Sequence, residues 1–183
     1  MNTRIEKDFT FSTGLYFAGE FYINLYEMTL SILVETDSIM NQNTAMERIS
    51  YFIHEVLQNS ILIHQDEKDQ ITKYKDAHLR LCELPEQPYD MILANVLLLK
   101  LNSILEGKLV ITDLILGSTM SEGIRNIVVA EVAENALSGN YWWNKNNTSM
   151  TDKTCIEADN IVNLFKSDEW NDLSMSWEEK VTK

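Results

Sequence analysis

Histidine is the commonest general base and metal ligand, and this chain offers three: His54, His64 and His78. None belongs to an HExxH pair or another ligand spacing. His54 stands beside Glu55 at the edge of an apolar stripe. His64 falls near the expected end of the same helix, where the dipole favours a cation. Both read first as capping or core-edge residues, with a general-base role as the alternative. Asp113 is the more informative carboxylate, because it interrupts LVITDLIL, a strand that reads as buried on both faces. Burial would raise its pKa unless an opposite charge answers it, and Arg125 on the expected hairpin partner supplies one. Asp113 is then half of a structural ion pair or a strand end reaching solvent or, alternatively, a catalytic acid that Asp90, Glu83 and Glu106 join around a divalent metal. Nucleotide chemistry finds no GxGxxG, P-loop or GxSxG, and six glycines leave few places for a phosphate-cradling loop. Cys82 and Cys155 lie far apart without a CxxC, so they read as small apolar side chains rather than a disulfide or a zinc site. No cofactor and no metal site is expected.

A chain of 183 residues, 45% hydrophobic and 9% aromatic, is long enough to bury one core. Its net charge of −13 disfavours direct contact with nucleic acid or anionic lipid. The charge is spread evenly: residues 1–40, 41–87, 88–139 and 140–183 carry −4, −3, −3 and −3. An acidic decoy for a nucleic-acid-binding protein would have to assemble its stripe in three dimensions. The N-terminal residues lack the apolar core of a signal peptide, and no uncharged run reaches the length of a membrane span, so a cytoplasmic location is expected.

Residues 8–17 alternate with the period of a half-buried strand, and a turn follows at Ala18-Gly19. From Phe21 to Val34 the apolar parity switches, which a strand with a bulge near Tyr26 would explain; helical spacing of Ile23, Tyr26, Leu30 and Leu33 is the alternative. Thr44 and Glu47 read as a capping box opening an amphipathic helix over 44–63, with Met46, Ile49, Ile53, Val56, Leu57 and Ile61 on one face. QDEKDQITKYKD reads as a solvated helix or loop, and HLRLCELP as a short strand. Pro88 opens a helix over 89–106 that is apolar over most of its circumference and so belongs mid-fold. KLVITDLILG and IRNIVVAEV suggest a hairpin, although Ile124 to Val132 also fits helical spacing. The expected architecture is α+β: a mixed or antiparallel sheet packed on two main amphipathic helices in a core domain, 1–139, followed by a tail, 140–183.

All four tryptophans, Trp142, Trp143, Trp170 and Trp177, fall in that tail. A second capping box at Thr154 and Glu157 introduces a short helix whose Ile161, Leu164 and Phe165 form one apolar face, and a helix this short must dock on something. The rings either cover a flank of the sheet or anchor a partner, since Trp is enriched in binding hot spots. Trp142, Trp143, Ile161, Leu164, Phe165, Trp170 and Trp177 are therefore the candidate partner-binding residues. NIVNLF at 160–165 resembles the hexapeptides ending in Leu-Phe that bind replication sliding clamps, with Asn160 for the usual glutamine and Val162 for the usual leucine. EFYINLYEMTLSILVETDS, TAMERISYFIHEVLQNS and PYDMILANVLLLKLNSILEGKLVITD resemble segments of uncharacterised proteins of large tailed bacteriophages, over most of residues 20–117. That resemblance implies a viral accessory factor and assigns no functional residue. The expectation is a non-catalytic, protein-binding or regulatory protein with a host or viral protein partner. Direct nucleic-acid or membrane contact is not expected, and self-association is compatible. The alternatives are a small metal-dependent hydrolase or nuclease, and the acidic decoy.

Overall fold

The computed structural model describes residues 3–152 and 169–178. β1 (Arg4–Phe17) and β2 (Glu20–Val34) form a long antiparallel hairpin. Its turn residues Ala18 and Gly19 take φ of 52° and 84°, the left-handed pair that matches a two-residue turn to the strand twist. α1 (Ile39–Tyr51) runs on into a π-helical segment, Phe52–Leu57. β3 (Ile61–His64), α2 (Lys68–Asp76), β4 (Leu81–Leu84) and α3 (Asp90–Leu105) follow, then β5 (Leu109–Ser118), a 3₁₀ turn at Thr119–Ser121, β6 (Arg125–Val129) and α4 (Ala130–Ala136). The strands make one mixed sheet in the order β4-β3-β1-β2-β5-β6. β3 is parallel to β1 and β4 to β3, and the other pairs are antiparallel. The molecule is thus an α+β single domain, with the helical layer and mixed sheet expected of it.

One face of the sheet, the front, carries α1, α3 and α4. Phe9, Phe11 and Leu15 of β1, Tyr26, Met28, Leu30 and Ile32 of β2, and Leu114 and Leu116 of β5 all point there and are buried. Eleven of the 16 residues of α3 are buried, which puts it at the centre, as its nearly continuous apolar circumference requires. On the back, α2 lays Ile71 and Tyr74 over Ile61, Ile63, Leu81 and Tyr16. It covers only the β4-β3-β1 half.

Three local expectations are corrected. The first helix starts at Ile39 rather than Thr44: the Ser38 hydroxyl accepts from the Asn41 amide at 3.2 Å, and Thr44 lies buried inside the helix. It also ends early, because Asn59 turns the chain at a φ of 61° and the β-branched run Ile61–His64 pairs with β1 and β4 as a strand. Ile61 matched the helical spacing by coincidence. β2 is regular through Tyr26, whose ring stacks on Phe11 at 5.1 Å. The register shift lies at Ser31/Ile32 opposite β5, and the parity switch has another cause: Phe21, Ile23 and Leu25 are apolar residues on the back face. Finally, Ile124 to Val132 is strand and then helix, changing at Ala130.

The described part of the tail folds onto the front layer. Trp142 and Trp143 open a 3₁₀ turn against α3, and both are buried, as is Met150. Residues 170–178 run back along α1, from Trp170, edge-on to Tyr51 at 6.0 Å, to Glu178, which accepts from the Ser38 hydroxyl at 2.5 Å and donates its amide to the Asn41 side chain at 2.8 Å. Among the described residues, no helix is long and apolar enough to cross a membrane.

Candidate functional site

The sequence candidates fall in separate places. Asp113 accepts from Arg4 at 2.9 Å and from the Thr112 hydroxyl at 2.7 Å. The expected partner, Arg125, reaches Glu27 instead, at 3.3 Å. β6 does pair with β5 as proposed, but Arg125 lies opposite Gly117, four residues along from Asp113. Glu83 holds Lys75 at 2.7 Å, Glu106 holds Arg48 at 2.7 Å and Asp90 accepts from Ser118 at 2.6 Å. These carboxylates are scattered, each with its own partner, and among the described residues no three His, Cys, Asp or Glu side chains gather where a metal ion could sit. His54 faces outward on the π-helical segment near Gln58, at 3.4 Å, and His64 lies 3.8 Å from Asp66. Cys82 is buried, and that burial pushes its thiol pKa up, away from thiolate chemistry.

The tryptophans answer their own question. Trp142 is 0% exposed and its indole N–H donates to the Glu83 carbonyl at 2.8 Å; Trp143 donates to the Leu137 carbonyl at 3.2 Å, and Trp170 to that of Asn146. Trp177 is half-buried against Arg48. Trp142, Trp143 and Trp170 thus act as intramolecular anchors, buried and with their N–H groups bonded, whereas the Trp177 N–H has no hydrogen-bond partner among the described residues. Ile161, Leu164 and Phe165, and with them the NIVNLF motif, lie outside the described residues.

Two buried cations receive the tail. The Arg48 side chain is 3% exposed; its Nε donates to the Met175 carbonyl at 2.8 Å, and its Nη1 to the Ile104 carbonyl at 3.0 Å and to Glu106. Trp177 and Trp170 lie over the guanidinium at 3.9 and 5.0 Å. Burial lowers its pKa, and Glu106 acts against that. Lys100, 0% exposed on α3, donates to the carbonyls of Trp142 at 3.0 Å and Lys145 at 2.9 Å. Neither is singled out by a motif; Lys100 shows only as the one basic residue in the largely apolar DMILANVLLLKLNSIL, and Arg48 shows no signal.

Among the described residues, no helix covers the back of β2, β5 and β6. Since even-numbered residues of β2 face the core, the odd-numbered Phe21, Ile23 and Leu25 project backward, and they are 51%, 78% and 48% exposed. Ile127 of β6 is 68% exposed on the same face, beside Ile115. Gly14 is where Phe21 settles: a Cβ there would stand 2.7 Å from the Phe21 ring. Asn24, pointing the other way, accepts from the Thr119 hydroxyl at 2.8 Å and the Met120 amide at 3.2 Å, and so fixes the 3₁₀ turn beside Leu25. The Glu27–Arg125 pair bridges the face above Gly117, with a shallow hollow on either side. One, of about 320 Å³, is lined by Asp8, Thr29 and Ile115, and the other, of about 300 Å³, by Leu25, Thr119 and Ile124. Tyr26, on the core side, has its hydroxyl pKa pushed up to about 12 by burial. It belongs to the packing, not to this face.

The fold defines the class only as an α+β domain on a mixed six-stranded sheet. No family model matches the sequence, and no curated protein matches it. Among solved structures, an uncharacterized protein from Wolinella succinogenes superposes with a TM-score of 0.52 at 13% identity, over 70% of this chain and 98% of that one. At that identity the likeness concerns the fold alone.

Proposed function

We propose that this chain is a non-catalytic protein-binding module whose docking surface is the back of β2, β5 and β6. One observation carries the reading: Phe21, Ile23, Leu25 and Ile127 stand 48% to 78% exposed on one face of a sheet whose other half is covered by α2. Apolar side chains grouped on one face mark interaction sites more often than chance exposure does. The candidate carboxylates stand apart, each with its own partner, and Cys82 is buried, which suits a binding reading. The resemblance of residues 20–117 to phage proteins suits an accessory factor acting in the host cytoplasm, and the acidic surface directs it to a protein rather than to nucleic acid or anionic lipid. This replaces the tryptophans with the sheet face as the partner surface.

The test is site-specific photo-crosslinking in the source cell, with the photoreactive residue at Ile23 or, as control, at exposed Glu47 on α1. A discrete adduct from position 23 alone, lost when Leu25→Asp is added, supports the reading. Equal adducts from both positions, or none from position 23, overturn it.

A further inference from the structure

We infer that the uncovered half of the sheet back takes a cationic amphipathic helix supplied by a partner protein. This rests on the docking surface proposed above and adds the chemistry of its occupant.

The helical form follows from the layer already there. α2 sits on the β4-β3-β1 half through Ile71, and packed helices lie roughly 8–10 Å apart, about the width of two strands at roughly 4.8 Å each. A helix beside α2 would therefore complete the back layer over β2, β5 and β6. The hollows flanking the Glu27–Arg125 bridge fit the same form. Their lining residues stand four apart along both strands, Thr29 and Leu25 on β2, and Ile115 on β5 with Thr119 just past its end, which is about 14 Å at a rise of about 3.4 Å per residue. Side chains at i and i+7 or i+8 of a helix share one face and lie about 10–12 Å apart along the axis at about 1.5 Å per residue, so two apolar knobs two turns apart can reach the two hollows while the helix flank covers Ile23.

The charge follows from what frames those apolar groups. Asp8, Glu27 and Asp113 lie on the face, and Glu20 and Glu122 at its turns, against Arg4 and Arg125. A second copy would bring the same acidic frame to meet its own, within a chain of net charge −13. Lysine or arginine on the flank of an incoming helix would instead meet Glu27 and Asp8. Arg125 and Glu27 are 64% and 68% exposed, so their pairing is weak enough to be exchanged for a partner's cation. The sequence of residues 153–168 carries two lysines and three carboxylates, which is the wrong sign for this frame.

The experiment measures binding of labelled helical peptides, each about 14 residues or roughly 21 Å of helix, to the full-length protein. One has leucines at i, i+4 and i+7 with lysine flanks, the second has glutamate flanks, and the third has the lysine-rich composition in scrambled order. The expected result is saturable binding of the first alone. It should weaken at least about tenfold in Ile23→Ser/Leu25→Ser protein and several-fold in high salt. Binding of the lysine peptide that ignores the face variants, or equal binding of the scrambled peptide, overturns the inference. A dimer in sedimentation that Ile23→Ser/Leu25→Ser dissociates makes the occupant a second copy, and peptide binding that appears only after removal of residues 153–168 makes it the chain's own segment. Either outcome overturns the helix while leaving the face a docking surface. Failure of the crosslink at position 23 removes the face itself.

Discussion

Replacing Arg48 with methionine should loosen the C-terminal strap from α1 and destabilise the whole domain. The guanidinium is almost wholly buried and makes three hydrogen bonds of 2.7 to 3.0 Å, to Glu106 and to the carbonyls of Ile104 and Met175. Hydrogen bonds to a charged group are worth about 1.5–3 kcal/mol each, so simple addition would give about 5–9 kcal/mol. Two effects reduce that sum. Burial of the cation is itself unfavourable, as its lowered pKa records, and removing it relieves that cost; Glu106, 35% exposed, can turn to water. The net loss should therefore match other broken buried pairs, about 3–5 kcal/mol, or a melting temperature lower by roughly 10 °C for a chain of this size. Urea unfolding followed by tryptophan fluorescence reads it directly, because Trp170 and Trp177 lie over the missing group. Arg48→Lys separates charge from shape: a lysine cannot bridge Met175, Ile104 and Glu106 together, so it should recover less than half of the loss. A destabilisation of Arg48→Met below about 1 kcal/mol would refute the reasoning, since it would mean that the strap gains nothing from the cation.

Further outcomes follow from the same geometry. Lys100→Met should cost about 2–4 kcal/mol in urea unfolding, because the carbonyls of Trp142 and Lys145 lose their common donor. Trp142→Phe should cost about 2 kcal/mol or more through lost volume and the unmade bond to Glu83. Ile23→Ser should change stability by less than about 0.5 kcal/mol, whereas Ile32→Ala on the same strand, 0% exposed, should cost about 2–5 kcal/mol; equal effects would refute the assignment of faces. In a Cys155→Ser background, Cys82 should resist a thiol reagent at neutral pH until urea unfolds the chain, because burial keeps the thiol protonated and out of reach.

Much of the scaffold could be read from residue order because local pattern and tertiary position agree. α3 matched its expected bounds within a residue, since an apolar stretch behind Pro88 has one place to go. β1 announces itself by alternation and β5 by β-branched content. The misreadings arose where one pattern had two explanations. Ile61 fitted a helical stripe by spacing, and only the turn at Asn59 separates the two elements. The parity change in β2 calls for a bulge only if Phe21, Ile23 and Leu25 face the core. Taken at face value, with apolar residues on both sides of a regular strand, the same letters mark the bare surface. The tryptophans left two readings open, since composition singles out large rings but does not say whether they meet their own chain. Arg48 and Lys100 show why: the backbone carbonyls that receive them come from residues 42 to 127 positions away, and a pairing between a side chain and distant main chain leaves no periodic trace.

The junction of Glu178 with Ser38 and Asn41 joins a residue late in the chain to the beginning of the first helix. A ribosome making about 5–20 residues per second needs roughly 7–26 s to travel from residue 48 to residue 178. Throughout that interval the nascent chain holds an arginine whose eventual lid has not yet been synthesised. Completion of the domain therefore waits until residues 170–178 have left the ribosome, and a message truncated before codon 170 would yield a body with its internal cation open to water.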